Sequence, residues 1–243
     1  PAWLAGAKVR ILHGHNTTVK SETKRNIMKM ALRPLSVFVA NRYFACSKVA
    51  ACWLYGSDKD SQIINNAIDV ECFLFKEETR QALRSELGLA DKFVIGHIGR
   101  FVYQKNHAYL IRLFYQVAQQ LPSAHLVLVG DGPLRESVLD QLKSLDLFER
   151  VTYLGLRNDI YRLYSLFDVF YFPSWYEGLG VVAIESQAAK LPILMSNFVP
   201  DEAIIDSSLV KHIGITDEDI DIWINETKRI YNDINHLHDG VNP

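Results

Sequence analysis

From residue 93 onward, short apolar runs alternate with longer amphipathic stretches, and this alternation restricts the folds open to the chain. The apolar runs occupy residues 93–98, 125–129, 151–154, 169–172 and 193–195. They are apolar at almost every position, which is typical of strands in a parallel sheet covered on both faces. Apolar residues at helical spacing are found in residues 108–120, 134–145, 161–166 and 181–189. The pattern predicts a doubly wound α/β domain, in which ligands bind beyond the carboxyl ends of the strands.

The composition is that of an ordinary globular protein, with 49% hydrophobic and 22% charged residues among 243. The formal net charge of −2 supplies no basic field, so we expect no nucleic-acid partner. The longest apolar stretches, such as residues 167–172, are far too short to span a bilayer. The first residues lack the ordered regions of a signal peptide, so we expect a cytoplasmic location. A region before Pro1 could add peripheral contact with the inner face of the membrane.

Residues 1–68 have a different pattern from the rest of the chain. They contain one predicted strand at 9–12, a helical stretch at 22–30 and a very short strand at 63–64, which is too little to close a sheet. We therefore expect residues 1–68 to be the last part of a domain that begins before Pro1. Residues 69–243 are predicted to form a second, complete domain.

The first candidate binding segment is GRFVYQKN, residues 99–106, between a predicted strand and a predicted helix. Gly99 allows a tight turn and a close approach of the backbone to a ligand. Arg100 and Lys105 place two cations on this loop, and two cations suit a diphosphate. The alternative is that both are solvated residues on an ordinary loop.

A second segment, GDGP at residues 130–133, also joins a predicted strand to a predicted helix. Two glycines flank Asp131, and Pro133 suits the start of a helix. The segment is either a tight turn or a part of the lining of a ligand cleft.

The third segment, SWYEGLGVVAIE at residues 174–185, follows the predicted strand 169–172. Gly178, Leu179 and Gly180 open a helix, where backbone N–H groups and the helix dipole favour an anion. Glu177 precedes this anion-binding end, and Glu185 lies within the helix, where a carboxylate can accept hydrogen bonds from a ribose diol. The alternative is a surface glutamate and a helix-capping glutamate. Together with the cations of the first segment, these residues predict a pocket for a diphosphate and a diol, as a sugar nucleotide requires.

The segments GRFVYQKN, VLVGDGP, VTYLG and EGLGVVAIE, the last followed by KLPIL, resemble glycosyltransferase family 4. The resemblance extends over about residues 65–213. It implies a two-domain fold of the GT-B type, with two Rossmann-like domains and transfer with retention at the anomeric carbon. In that fold 69–243 would bind the nucleotide sugar, and 1–68 would be the remnant of the acceptor-side domain.

The resemblance also implies roles for the residues that bind phosphate. Arg100 and Lys105 would hold the donor diphosphate and stabilise its charge as it leaves, and Gly99 would allow its approach. The backbone of residues 178–180 would bind phosphate as well.

The remaining parts of the donor are assigned in the same way. Glu185 would bind the ribose hydroxyls, and Glu177 would contact the transferred sugar. The loop around Leu156 and Arg157 would hold the base.

The segment VRILHGHN, residues 9–16, resembles the family's strand and histidine-bearing loop that faces the donor. His13 or His15 would contact the transferred sugar or the acceptor, and we expect His13 to be catalytic. The alternative is a loop histidine of local importance only. His97 and His125, within or beside strands, are expected to be packing residues.

The resemblance implies no metal and no other cofactor. Asp-x-Asp strings do occur at Asp58/Asp60, Asp217/Asp219 and Asp219/Asp221, and we expect them to be solvated or to cap a helix. The donor is expected to be a UDP-sugar, on the likeness to bacterial polysaccharide transferases.

The function predicted from the sequence is retaining transfer of a sugar from a nucleoside diphosphate to a saccharide or lipid-linked acceptor, in polysaccharide biosynthesis. One alternative is another GT-B enzyme, such as a sugar-nucleotide epimerase. The other is a sugar-nucleotide-binding module without turnover.

Overall fold

The computed structural model describes residues 2–15, 23–58 and 60–239. Their strands are β1 (Ile11–Gly14), β2 (Arg42–Ala45), β3 (Gln62–Ile63), β4 (Phe93–Ile98), β5 (Ala124–Val129), β6 (Val151–Tyr153), β7 (Val169–Phe172), β8 (Ile193–Ser196) and β9 (Val210–Ile213). Their helices are α1 (Thr23–Val39), α2 (Lys48–Tyr55), α3 (Val70–Phe73), α4 (Glu77–Leu87), α5 (His107–Gln120), α6 (Arg135–Ser144), α7 (Ile160–Leu166), α8 (Val181–Ala188) and α9 (Ile220–Asp239). None of these helices is long and apolar enough to cross a membrane.

The chain divides into two compact units. Within the described residues, the first comprises Pro1–Ala67, Tyr176–Val181 and Phe198–Ala203, and the second comprises Ile68–Trp175, Val182–Asn197 and Ile204–Pro243. The chain therefore returns twice to the first unit, with residues that the predicted division into 1–68 and 69–243 places in the second domain.

Hydrogen bonds within the first unit account for these returns. The Ser47 hydroxyl, at the start of α2, donates to the Gly178 carbonyl at 2.5 Å. The Lys48 N–H donates to Glu202 Oε1 at 2.8 Å. The three strands of this unit are parallel, in the order β1-β2-β3.

The second unit contains a six-stranded parallel sheet in the order β6-β5-β4-β7-β8-β9. All residues of β4, β5, β7 and β8 are buried, as continuous apolar runs predict for the inner strands of a covered sheet. The largest fully buried side chain is Trp223 of α9, whose indole N–H donates to the Gly214 carbonyl at 2.8 Å. The predicted doubly wound α/β fold is confirmed.

Candidate active site

The order of the strands in the second unit places a candidate site at one point of the sheet edge. Chain order runs outward from β4 in one direction and from β7 in the other, so the strand order reverses between them. Such a reversal opens a crevice at the carboxyl ends of the two strands, where α/β proteins bind ligands. The segments that leave these ends begin at Gly99 and Pro173.

The loop after β4 is fastened to the segment after β7 by polar and aromatic contacts. The Trp175 N–H donates to the Gln104 carbonyl at 2.8 Å. The rings of Tyr103 and Trp175 are stacked, with centroids 6.0 Å apart. Asn106 Nδ2 donates to the Pro173 carbonyl at 3.1 Å. The backbone that carries the two predicted cations is therefore held in place before any ligand binds.

Gly99 lies where the loops after β4 and β5 approach each other closely. Its N–H donates to the Val129 carbonyl at 2.9 Å. A Cβ atom at Gly99 would lie 3.2 Å from His97 Nε2 and from two carbons of the Lys105 side chain. Gly130 has a φ of +127°, and a Cβ there would overlap the Gly99 carbonyl oxygen. The loop after β5 therefore needs glycine at Gly130, and a side chain at Gly99 would press on His97 and Lys105. The predicted approach of a ligand to Gly99 stays a prediction.

A cavity of about 530 Å³ opens beside this contact within the second unit, with walls that include Gly99, Arg100, Gly132, Leu156 and Arg157. Arg100 is exposed at its rim. The structure thus brings together the first segment, the GDGP turn and the predicted base-binding loop. A cavity of this size is in the range that binds small molecules in proteins.

Arg157 already has an ionic partner. Its Nε and Nη2 each donate to an oxygen of Asp159 at 2.8 Å. This bidentate pair fixes the plane of the guanidinium at the cavity wall. Arg162 also contacts the same carboxylate, at 3.3 Å.

Lys105 and Glu185 lie near each other. Lys105 is half-buried, with Nζ 4.7 Å from the centre of the Phe172 ring. Burial raises the pKa of Glu185 above its ordinary value of 4.5, and both a hydrogen bond from Tyr164 and the charge of Lys105 oppose this rise. An acceptor carboxylate and a cation thus share the crevice.

Tyr164 was not among the residues that sequence reasoning singled out. Its hydroxyl donates to Glu185 Oε2 at 2.5 Å. Because Tyr164 belongs to the apolar stretch that predicts α7, nothing in the sequence distinguishes it from an ordinary core residue. Only its position in the folded chain, next to Glu185, indicates a role in the site.

The segment of Glu177, Gly178, Leu179 and Gly180 belongs to the first unit. Glu177 is 6% exposed and Leu179 is 2% exposed. Gly180 has a φ of +84°. In a peptide group the C=O and N–H point in opposite directions. The bond from Ser47 to the Gly178 carbonyl therefore directs the Leu179 N–H away from Ser47.

His13 is half-buried in the first unit, where it lines a cavity of about 380 Å³ together with His15. The two imidazole rings are 4.0 Å apart between centroids. Burial, and then the neighbouring charge of His15, lower the pKa of His13. His13 is therefore neutral near pH 7. Asn16, the last residue of the histidine segment, lies outside the described residues.

His97 and His107 form a buried pair of imidazoles behind Lys105. His97 Nδ1 bonds to the Tyr171 carbonyl at 2.9 Å, and its ring centroid is 4.9 Å from that of His107. Burial lowers the pKa of His97 to about 4 and that of His107 to about 2. His125 is also buried and bonds to Thr152. The expected packing role of His97 and His125 agrees with this placement.

Among the residues that the structure describes, no three His, Cys, Asp or Glu side chains are grouped to hold a metal ion. Asp219 instead accepts hydrogen bonds from the Thr216 N–H at 2.8 Å and the Thr216 hydroxyl at 2.6 Å. It caps the helical turn before α9, as predicted for an aspartate at this position.

Solved structures share this fold. The crystal structure of HepE (Alr3699) from Anabaena in complex with UDP superimposes with a TM-score of 0.80 and 22% sequence identity. The match covers 96% of this chain and 65% of HepE. This likeness confirms the predicted fold of the GT-B type.

Sequence comparisons give the family. EpsF of Bacillus subtilis strain 168, named as a glycosyltransferase, is 33% identical over 229 residues, which cover 91% of this chain and 59% of EpsF. The UDP-Gal:alpha-D-GlcNAc-diphosphoundecaprenol alpha-1,3-galactosyltransferase of Escherichia coli is 28% identical over 248 residues, which cover 96% of this chain and 62% of the enzyme. The chain thus spans about three fifths of the length of these relatives. The model of the family Glycosyl transferases group 1 matches residues 92–233, and the chain belongs to this family.

Proposed function

We propose that this chain carries the donor site of a retaining glycosyltransferase that transfers a sugar from a UDP-sugar to a saccharide or lipid-linked acceptor. The observation that carries the proposal is the placement of Lys105 and Glu185 on the segments that follow β4 and β7, the two strands at the strand-order reversal. Lys105 also packs against Gly99 in the wall of the 530 Å³ cavity. A cation for phosphate and an acceptor for a diol stand at one crevice. The proposed setting is polysaccharide biosynthesis.

The second unit offers a candidate binding group for the diphosphate, the ribose and the base of a nucleoside diphosphate. Arg100 at the cavity rim and Lys105 beside it would bind the diphosphate, and Gly99 leaves room for its approach. As the glycosidic bond breaks, negative charge develops on the diphosphate, and fixed cations stabilise it. Glu185 would accept hydrogen bonds from the ribose, and the cavity wall at Arg157 would contact the base.

The remaining roles rest on the resemblance to glycosyltransferase family 4. Glu177 would contact its hydroxyls, the backbone of 178–180 would bind phosphate, and His13 would contact the transferred sugar or the acceptor. The low pKa of His13 suits this role, because a neutral imidazole can accept a proton or a hydrogen bond.

The names of related proteins support the donor and acceptor classes. The E. coli relative is named for UDP-Gal and for an acceptor carried on diphosphoundecaprenol. The HepE structure contains UDP. Retention rests on the resemblance to glycosyltransferase family 4. We also propose a cytoplasmic location, where a lipid-linked acceptor would bring the protein to the membrane surface.

Calorimetric titration with UDP, GDP and ADP tests the donor site. We expect UDP to bind, and Arg100→Ala and Glu185→Ala each to weaken it by about tenfold or more, because a bond to a charged group contributes roughly 1.5–3 kcal/mol. Arg112→Ala is the matched control, since Arg112 pairs with Asp217 on the surface of α5 and should leave UDP binding unchanged. Absence of binding by all three nucleotides at millimolar concentration would overturn the donor site, and unchanged binding by both variants would overturn its residues.

Turnover separates an enzyme from a binding module. Transfer should be measured from UDP-galactose to an N-acetylglucosaminyl diphospholipid, with the anomeric configuration of the product read by NMR. We expect the configuration of the donor to be kept. Tight UDP binding without transfer to any lipid-linked or saccharide acceptor would favour the binding module.

A further inference from the structure

A buried tyrosine holds the carboxylate that we assign to the ribose. Tyr164 is 1% exposed and donates to Glu185 Oε2 at 2.5 Å. We propose that Tyr164 fixes Glu185 so that the site selects ribonucleoside diphosphates against 2′-deoxyribonucleoside diphosphates. This inference rests on the proposed function, because it requires that Glu185 contacts the ribose.

The position of the Tyr164 hydroxyl is set by the packing of its ring. The ring contacts Phe73 and Phe170, each with centroids 5.7 Å away, and Phe167 at 6.3 Å. These three rings come from α3, from β7 and from the residue after α7. A ring enclosed in this way cannot swing, so its hydroxyl is a fixed donor.

The protonation states suit a one-way hydrogen bond. Burial, and then the charge of Glu185, raise the pKa of Tyr164 well above its ordinary value of 10. The phenol therefore keeps its proton at neutral pH and donates it to the carboxylate. With Oε2 occupied, Oε1 has no hydrogen-bond donor within the described part of the chain. That oxygen can accept a bond only from a ligand or from water.

Because Glu185 is fixed, a ligand that lacks the 2′-hydroxyl should lose more binding affinity than it would with a mobile glutamate. A carboxylate only accepts hydrogen bonds, so it needs the hydroxyl donors of a ribose. A mobile glutamate could turn to solvent when the 2′-hydroxyl is missing, and little affinity would be lost. A half-buried carboxylate held by Tyr164 cannot turn, so its Oε1 loses the hydroxyl donor of the ligand without gaining one from bulk solvent. Sites built in this way reject an analogue that lacks the hydroxyl.

The test compares UDP with 2′-deoxy-UDP, which differ by a single hydroxyl, using calorimetry on the whole chain. We expect the wild type to prefer UDP by roughly 10- to 100-fold, the range for a hydrogen bond to a charged group. Tyr164→Phe should reduce this ratio to about threefold or less, chiefly by weakening UDP. Tyr171→Phe is the matched control. It removes an equally buried hydroxyl, bonded to Thr227, and should keep the wild-type ratio.

The possible outcomes distinguish a failure of this inference from a failure of the proposed donor site. If the wild type binds no nucleotide, the proposed donor site fails. If it binds UDP and 2′-deoxy-UDP equally, or if Tyr164→Phe weakens both alike, Tyr164 does not act through Glu185 and the inference is overturned. Should Tyr164→Phe fail to fold, Glu185→Asp decides the case, since it shortens the carboxylate out of reach of Tyr164 and leaves the aromatic core intact. Undiminished preference for UDP in that variant would overturn the inference.

Discussion

At the scale of single residues, the environment of Glu185 should be visible in the pH dependence of stability. Burial raises its pKa in the folded protein above the ordinary value of 4.5. The ionised form is therefore disfavoured by folding, and this penalty is absent below pH 4.5 and complete above the folded-state pKa. Glutamine carries no such penalty. We expect Glu185→Gln to become more stable relative to the wild type as the pH rises from 4 to 8, measured by urea unfolding.

Glu226 offers a control of opposite sign. Although burial acts against it, hydrogen bonds from Arg229 and Lys211 lower its pKa in the folded protein. Its contribution to stability is present above pH 4.5 and is lost as the pH falls. Glu226→Gln should therefore become less stable relative to the wild type as the pH rises towards 4.5, and the difference should stay constant above it. If both variants responded in the same direction, the burial assigned to Glu185 would be wrong.

Residue types alone predicted part of the candidate site. Lys105 and Glu185 could be singled out because two cations, a glycine-led helix start and two carboxylates occur together at the strand ends of one sheet. Tyr164 could not be, because an aromatic residue in an apolar helix is most often a core residue. The role of its hydroxyl is evident only from the fold, which places it against Glu185, 21 residues further along the chain.

At the scale of elements, the turn before α5 ties the loop that carries Lys105 to the segment after β7. Asn106 ends this turn with a φ of +54°, and its Nδ2 donates to the Pro173 carbonyl at 3.1 Å. Asn106→Ala should destabilise the protein by roughly 2–3 kcal/mol, because it leaves a buried carbonyl unpaired and puts alanine in a left-handed conformation. Urea unfolding measures this loss.

Asn106→Gly separates the two contributions. Glycine accepts the positive φ, so only the hydrogen bond is lost and we expect a cost of about 1 kcal/mol. If glycine and alanine were equally destabilising, the backbone conformation of Asn106 would contribute nothing.

The elements also differed in how well sequence patterns predicted them. The strands β4 to β8 were predicted to within a residue because each is a short, mainly apolar run, and all but the edge strand β6 are fully buried. The edge strand β9 was not predicted, since Lys211 and His212 interrupt its apolar residues. Helix α1 continues past residue 30 to Val39 with Pro34 inside it, although proline usually marks a helix boundary. Whether a strand lies at a sheet edge, and whether a helix accommodates a proline, depends on the packing around it, which the sequence pattern does not show.

At the scale of the whole molecule, the division into two units follows from contacts far apart in the chain. Ser47 and Gly178 are 131 residues apart, and Lys48 and Glu202 are 154 apart. A pattern read along the chain describes neighbours in sequence, so it located the boundary near residue 68 and not the two later returns. Glu177 and Glu185 are only eight residues apart, yet they belong to different units.

A buried group of charges links α4 to the sheet of the second unit, at the end of the sheet opposite the candidate site. Asp168 accepts from Arg80 and Arg84 of α4 at 2.5 Å each, and from the Val94 N–H of β4 at 2.7 Å. The carboxylate is 4% exposed. Asp168 thus links α4, β4 and the start of β7 through residues 74 to 88 positions apart.

Asp168→Ala should therefore destabilise the unit as a whole. It leaves two guanidinium groups without a counter-charge and a buried N–H without an acceptor, and breaking a buried ion pair in this way costs roughly 3–5 kcal/mol. Asp233→Ala is the control, because its pair with Arg229 at 3.1 Å is 60% exposed on both sides and should contribute less than about 1 kcal/mol. Urea unfolding of both variants gives the comparison. Since α4 and the sheet lose their link together, the whole transition should move to lower urea with its slope unchanged. A similar small loss in both variants would show that α4 docks by apolar packing alone.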